Sequence, residues 1–81
     1  MRARLKLLEK NNKRIVYAYS SDASIDLIDG EIELDLKSEN FSVIKKATND
    51  DNGGHGVWLF PHLSRLILRE GCPDKKFIAT G

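Results

Sequence analysis

Carboxylates are the most concentrated reactive groups in this 81-residue chain, and most of them lie in its second quarter. Residues 20–40 hold seven acidic side chains against one lysine, a local charge of −6. A cluster of one sign favours the capture of a basic partner, because complementary potentials steer association and select partners. Four of these carboxylates lie on two predicted strands and are the candidate binding residues: Asp26, Glu31, Glu33 and Asp35.

The turn between those two strands decides which carboxylates meet. Asp29-Gly30 suits the two positive φ values of a type I′ hairpin turn, and the resulting register places Asp26 directly opposite Glu33. Opposed like charges destabilise a sheet by up to about 1 kcal/mol per pair. Either cations of the chain itself, on the first strand or at Lys45 and Lys46, neutralise them, or a basic partner does so, as in inhibitor or immunity-type proteins.

Basic side chains dominate the first nineteen residues, with six cations against one carboxylate. The alternation predicts a hairpin whose polar face combines cations with tyrosines, which suits RNA or single-stranded nucleic acid as an alternative partner. A register shifted by one residue would instead bury both tyrosines in the core. The residues of this second candidate surface are Arg2, Arg4, Lys6, Arg14, Tyr17 and Tyr19.

The remaining reactive side chains form no recognisable catalytic or metal-binding pattern. His55, His62 and Cys72 are of ligand type, but their spacing matches no zinc finger or ribbon. The glycine-rich segment 53–56 lacks the lysine and the hydroxyl residue of a phosphate-binding loop. We therefore expect no enzyme activity, no metal and no cofactor.

The apolar periodicity indicates which elements position these residues. Period-two alternation predicts five strands joined in hairpins, over residues 2–9, 14–19, 24–28, 31–37 and 41–47. Residues 48–56 have no periodicity and are predicted to be a flexible loop. A last edge strand is expected near residues 76–79.

One helix is expected over about residues 60–70, with Pro61 in its first turn and Gly71 just beyond its end. The short apolar run 66–68 also suits a strand, since so few residues do not separate the two periods. The fold class that follows is α+β, an antiparallel sheet of about five to six strands in a meander of hairpins, with one helix packed on one face.

Length and composition predict one domain over residues 1–81, because the chain is too short for two cores. A single cysteine excludes an internal disulfide and favours a reducing compartment. The sequence starts without the apolar stretch of a signal peptide and has no membrane-spanning run. We expect a cytoplasmic protein that is a monomer or a weak homodimer and has no membrane partner.

Four short segments carry a family resemblance: Gly30–Asp35, Phe41–Ile44, Asn49–Asp51 and Gly71–Pro73. Together they resemble small uncharacterised bacterial proteins built from a sheet and a helix, and the likeness extends over residues 14–81. It implies the fold only, with no activity, cofactor or catalytic residue. The function we expect is that of a non-enzymatic binding or regulatory protein that acts through a macromolecular partner, most simply a protein with a basic surface.

Overall fold

The structure, a computed structural model that describes residues 1–80, consists of one antiparallel sheet with helices against one of its faces. Its elements in chain order are β1 (Arg2–Lys10), β2 (Arg14–Tyr19), β3 (Gly30–Asp35), β4 (Asn40–Lys45), α1 (Gly54–Trp58), α2 (Phe60–Arg69) and β5 (Lys75–Ala79). The strands lie in the order β4-β3-β2-β1-β5, so β4 and β5 are the edges. The α+β class is confirmed, with five strands and one main helix.

The first hairpin contains a β-bulge that sets the register between β1 and β2. Leu7 pairs with Tyr17 and Glu9 pairs with Val16, so Leu8 is the extra residue on β1. A two-residue turn at Asn11 and Asn12, which tolerate positive φ, would place Leu7 opposite Val16 and the tyrosines beside the cations. This predicted register is wrong by one residue. Because side chains alternate between the two faces, the shift moves the β2 tyrosines into the core.

The strand predicted over residues 24–28 is wrong, because residues 20–29 form an irregular connection between β2 and β3. Gly30 is not a turn residue but the first residue of β3, where it pairs with Tyr19. A Cβ atom at Gly30 would lie 2.3 Å from the Tyr19 ring, so this position accepts the ring only because it has no side chain. The connection is held by polar contacts instead, including a hydrogen bond from Ser21 Oγ to the carbonyl of Thr48 at 2.6 Å.

The helix predicted over residues 60–70 is confirmed as α2, and the strand alternative for residues 66–68 is wrong. Pro61 lies in its first turn. Gly71 adopts a positive φ of 70° just after its end, and the Cys72 amide donates back to the carbonyl of Leu66 at 3.2 Å. Residues 48–56, predicted to be a flexible loop without periodicity, form turns and the beginning of the short helix α1, which continues to Trp58.

The core lies between the inner face of the sheet, defined here as the face that packs against α2, and the helices. Every second residue of β1, β2 and β3 contributes to it, and the apolar stripe of α2 closes it. Its largest fully buried side chains are Leu5, Tyr17, Tyr19, Ile32, Leu59, Leu63 and Leu66.

Strand β5 is confirmed as an edge strand and joins the sheet next to β1, the first strand of the chain. Arg2 pairs with Ala79 and Lys6 pairs with Lys75. The first residue continues this ladder, because the Met1 ammonium donates to the carbonyl of Thr80 at 2.7 Å and the Thr80 amide donates to Met1 at 2.9 Å.

Candidate functional site

The predicted acidic face is not one cluster, because Asp26 lies outside the sheet. It is an exposed residue of the β2–β3 connection, and one of its carboxylate oxygens lies 3.4 Å from Nε of Arg4. The prediction that Asp26 faces Glu33 across a hairpin is therefore wrong. Because Asp26 and Glu33 do not face each other, the repulsion between them that favoured a basic partner is absent.

Glu33 does lie on the outer face, the side of the sheet away from α2, but it is paired within the chain. Arg14 on β2 donates from Nη1 to Glu33 at 2.7 Å, and from Nε and Nη2 to Glu9 at 2.7 and 3.0 Å. This fork raises the pKa of Arg14 and holds the pKa of Glu9 below its usual value, in both cases chiefly through their shared hydrogen bond. Arg14, a cation of the first hairpin, thus neutralises Glu33 at the centre of β3.

The other two predicted acidic residues have local roles at the ends of β3. Glu31 pairs in register with Lys45 on β4. One oxygen of the Asp35 side chain accepts from the backbone amides of Lys37 and Ser38, at 2.9 and 3.3 Å, and so closes the β3–β4 turn.

The predicted basic surface is retained in part. Arg2, Arg4 and Lys6 alternate along the outer face of β1 and are exposed. Tyr17 and Tyr19 lie on the inner face, where they are 1% and 0% exposed, so the prediction that they share the basic surface is wrong. Burial raises the pKa of both phenols to about 12.

A different aromatic ring accompanies the cations of β1. Phe77 on β5 pairs in register with Arg4, is 47% exposed, and has the Arg4 guanidinium 5.3 Å above its ring centre. Beside this pair, Lys6 and Lys75 are direct cross-strand neighbours. The sequence did not reveal the contact between Arg4 and Phe77, because that contact depends on the pairing of β5 with β1 and the alternating pattern around Phe77 is short.

A buried polar cluster, which the sequence did not reveal, forms around Asp50. The Tyr19 hydroxyl donates to Oδ2 of Asp50 at 2.6 Å, and the backbone amides of His55 and Gly56 donate to its two oxygens at 2.9 and 3.1 Å. The Tyr19 oxygen in turn accepts from the amide of Ala47 at 3.1 Å. Burial raises the pKa of Asp50, but these hydrogen bonds outweigh it and the net pKa is lowered.

This cluster organises the fold. Its carboxylate holds the start of α1 against β2, and within residues 1–80 no buried side-chain nitrogen or oxygen lacks a partner. In the sequence, the cluster is indicated only by Asp50, an aspartate a few residues before α1, and many turns share this pattern.

The histidines lie beside Trp58 and do not gather with the cysteine. The Trp58 ring is 5.1 Å from that of His55 and 4.8 Å from that of His62. Nε2 of His55 donates to the Arg2 carbonyl at 2.9 Å. Burial, aided by the charge of Arg65, lowers the pKa of His62. Among the described residues no three histidine, cysteine or acidic side chains come close enough to share a metal ion.

An apolar groove of about 350 Å³ lies between the β3–β4 hairpin and the last turns of α2. Leu68 forms its outer rim and is 80% exposed, while Phe41 and Ile67 form its half-buried floor. The residues that line it are Leu34, Leu36, Glu39, Phe41, Ser64, Ile67 and Leu68. The sequence contains a signal for it, because Leu68 follows Leu66 by two residues and so points about 200° away from the core stripe.

The residues described include no helix long and apolar enough to cross a membrane. Comparisons with protein-family models, with curated proteins and with solved structures found no match to this chain.

Proposed function

We propose that this protein is a non-enzymatic binding module that captures an extended segment of a partner protein in the apolar groove beside β4. The observation that supports this most is the exposure of Leu68 at the rim of a groove to which the edge strand β4 contributes Phe41. Leu36, which is 36% exposed, and the half-buried Phe41 and Ile67 line the same groove, and an apolar surface shared by several side chains favours a partner that covers it. We also propose a cytoplasmic location, in keeping with a single, buried cysteine.

Strand β4 provides the backbone half of such a site. It is an edge strand, so one row of its amides and carbonyls has no neighbour in the sheet. A peptide that adds beside it would gain main-chain hydrogen bonds, and every second side chain would point toward the groove side. Phe41 and Val43 already face that side from β4.

The charges around the groove suggest the chemistry of the peptide. Glu39 lines one end of the groove, at the start of β4, whereas Lys45 and Lys46 are exposed at the other end of the strand. A complementary segment carries apolar residues at alternate positions with a basic residue placed near Glu39. The proposal retains a partner with basic character but moves the contact from the outer acidic residues, which are paired or engaged in a turn, to the β4 edge.

Selection from a random decapeptide library, followed by titration of the enriched peptides, tests this proposal. We expect enriched sequences with alternating apolar residues, and protection of β4 amides from hydrogen exchange when they are bound. Leu68→Glu places a charge in the groove and should weaken binding at least tenfold. Because Leu68 is 80% exposed, this change costs the fold little.

Leu27→Glu is the matched control, since Leu27 is also an exposed leucine but lies in the β2–β3 connection. Its binding should equal that of the wild type. Failure to enrich any peptide, or peptides whose affinity is the same in Leu68→Glu and the wild type, would overturn the proposal.

A further inference from the structure

The outer face near the β5 edge contains two lysines placed directly against each other. Lys6 and Lys75 are cross-strand partners of the antiparallel β1–β5 pair, and side chains in that relation lie about 5 Å apart at Cβ. Within residues 1–80 neither lysine has a carboxylate within 4.0 Å, whereas Arg2 and Arg4 beside them are each paired with an aspartate. Two unneutralised, opposed cations destabilise the free sheet and concentrate positive potential at one place.

The same two strands contribute a stacking surface at the next cross-strand pair on the outer face, two residues away along each strand. The Arg4 guanidinium lies over the Phe77 ring, and both side chains are about half exposed. Guanidinium planes and aromatic rings both stack with unpaired bases. Cations and a stacking platform thus adjoin on one face.

We infer that the outer face of β1 and β5 binds single-stranded nucleic acid. In this arrangement Lys6 and Lys75 contact backbone phosphates, and one base stacks on the Arg4–Phe77 pair. A phosphate backbone or an acidic protein segment would neutralise the lysine pair, and nucleic acid also supplies bases that stack on the Arg4–Phe77 pair. The surface is independent of the proposed peptide groove, which lies at the opposite edge and on the other face of the sheet.

The nearby aspartates limit where the strand can run. Asp22 pairs with Arg2 at 3.2 Å and Asp26 pairs with Arg4 at 3.4 Å, so the end of β1 near residue 2 carries carboxylates as well as cations. Phosphates are therefore favoured toward Lys6 and Lys75. The binding is expected to be weak and strongly dependent on salt, because few phosphates are contacted.

Fluorescence anisotropy with a labelled oligothymidylate about 20 nucleotides long tests this inference. Lys75→Glu should weaken binding at least fivefold at low salt while raising the thermal midpoint of the free protein, since it replaces a repulsive pair with an attractive one. Loss of affinity together with gain of stability separates a binding role from simple unfolding. The double change Lys6→Gln and Lys75→Gln should lower the slope of log affinity against log salt by about 1.4, because each phosphate contact on a single strand contributes about 0.7.

Two controls make the result decisive. Lys37→Glu reverses a charge on the β3–β4 turn, three strands from β5, and should leave affinity nearly unchanged. Phe77→Leu keeps an apolar side chain but removes the ring, and should weaken binding several-fold without changing the salt slope. Absence of binding at low salt, equal losses in Lys37→Glu and Lys75→Glu, or equally tight binding of inorganic polyphosphate would overturn the inference.

Discussion

Replacing Tyr19 by phenylalanine removes one hydroxyl group from the buried polar cluster around Asp50. That hydroxyl donates to the Asp50 carboxylate and accepts from the Ala47 amide, and both partner residues are buried. A hydrogen bond to a charged group contributes about 1.5–3 kcal/mol, and an unsatisfied buried amide costs about 1–3 kcal/mol. Allowing for partial relaxation, we expect Tyr19→Phe to lower the free energy of unfolding by about 3 kcal/mol.

Tyr17→Phe is the matched control, because it makes the same change two residues earlier on the same face of β2. The Tyr17 hydroxyl donates to a neutral acceptor, the carbonyl of Pro73, at 2.7 Å. Its loss should cost about 1 kcal/mol. For a domain of this size, thermal midpoints should fall by about 15 °C in Tyr19→Phe and by about 5 °C in Tyr17→Phe.

The pH dependence separates the two variants further. The folded-state pKa of Asp50 lies below its ordinary value of 3.8, so its stabilising contribution is complete above that pH and is lost as pH falls through the folded pKa. Tyr19→Phe removes a bond that lowers this pKa. The difference in stability between Tyr19→Phe and the wild type should therefore shrink below about pH 4, and that of Tyr17→Phe should stay constant.

Urea unfolding of the three proteins from neutral pH to about pH 2.5 provides the measurement, with the wild type as reference at every pH. The other carboxylates with lowered pKa values are common to all three proteins and cancel in the differences. Equal costs for the two substitutions, or a Tyr19→Phe cost that does not change with pH, would refute the assignment of a charged Asp50 as the acceptor.

Three further outcomes follow from contacts described above. Glu33→Gln should destabilise the protein by less than about 1 kcal/mol, because it removes the charge of one partner of Arg14, and this effect should be smaller at high salt. A higher thermal midpoint in Glu33→Gln would instead show unneutralised repulsion between carboxylates on β3. Gly30→Ala should lower the free energy of unfolding by about 2–3 kcal/mol, because its Cβ atom would overlap the Tyr19 ring. An unchanged free energy in urea unfolding would contradict this packing. The pKa of His62 measured by NMR should lie below its ordinary value of 6.5, since burial disfavours its charged form, and a value at or above 6.5 would contradict this burial.

Local patterns in the sequence predicted those elements whose signals are independent of distant partners. Strand β2 matches the predicted residues 14–19, and α2 matches the predicted helix because proline and glycine mark its two ends. The predicted strand over residues 24–28 failed because Asp29-Gly30 is typical of a hairpin turn, yet Gly30 is required for a different reason. Its missing side chain makes room for a ring on the neighbouring strand, which is a tertiary effect that no short window contains.

The candidate surfaces were harder to predict because each depends on register. The bulge at Leu8 moves Tyr17 and Tyr19 from the predicted basic surface to the core, and the hairpin signal from Asn11 and Asn12 gives no indication of it. The cations of β1 were correctly placed on one face by alternation alone. The Phe77 ring was missed because only the pairing of β5 with β1 brings it there.

The pairing of the first and last strands sets the order in which the protein can fold. Strands β1 to β4 meet through successive connections, but the β1–β5 ladder joins Arg2 to Ala79, at opposite ends of the described chain. Closing so long a loop costs about 2–3 kcal/mol more entropy than closing a four-residue hairpin. We therefore expect β5 to dock late, after the meander has formed, and to detach first when the native state opens. Contacts made by β5 should accordingly slow unfolding while leaving the folding rate nearly unchanged.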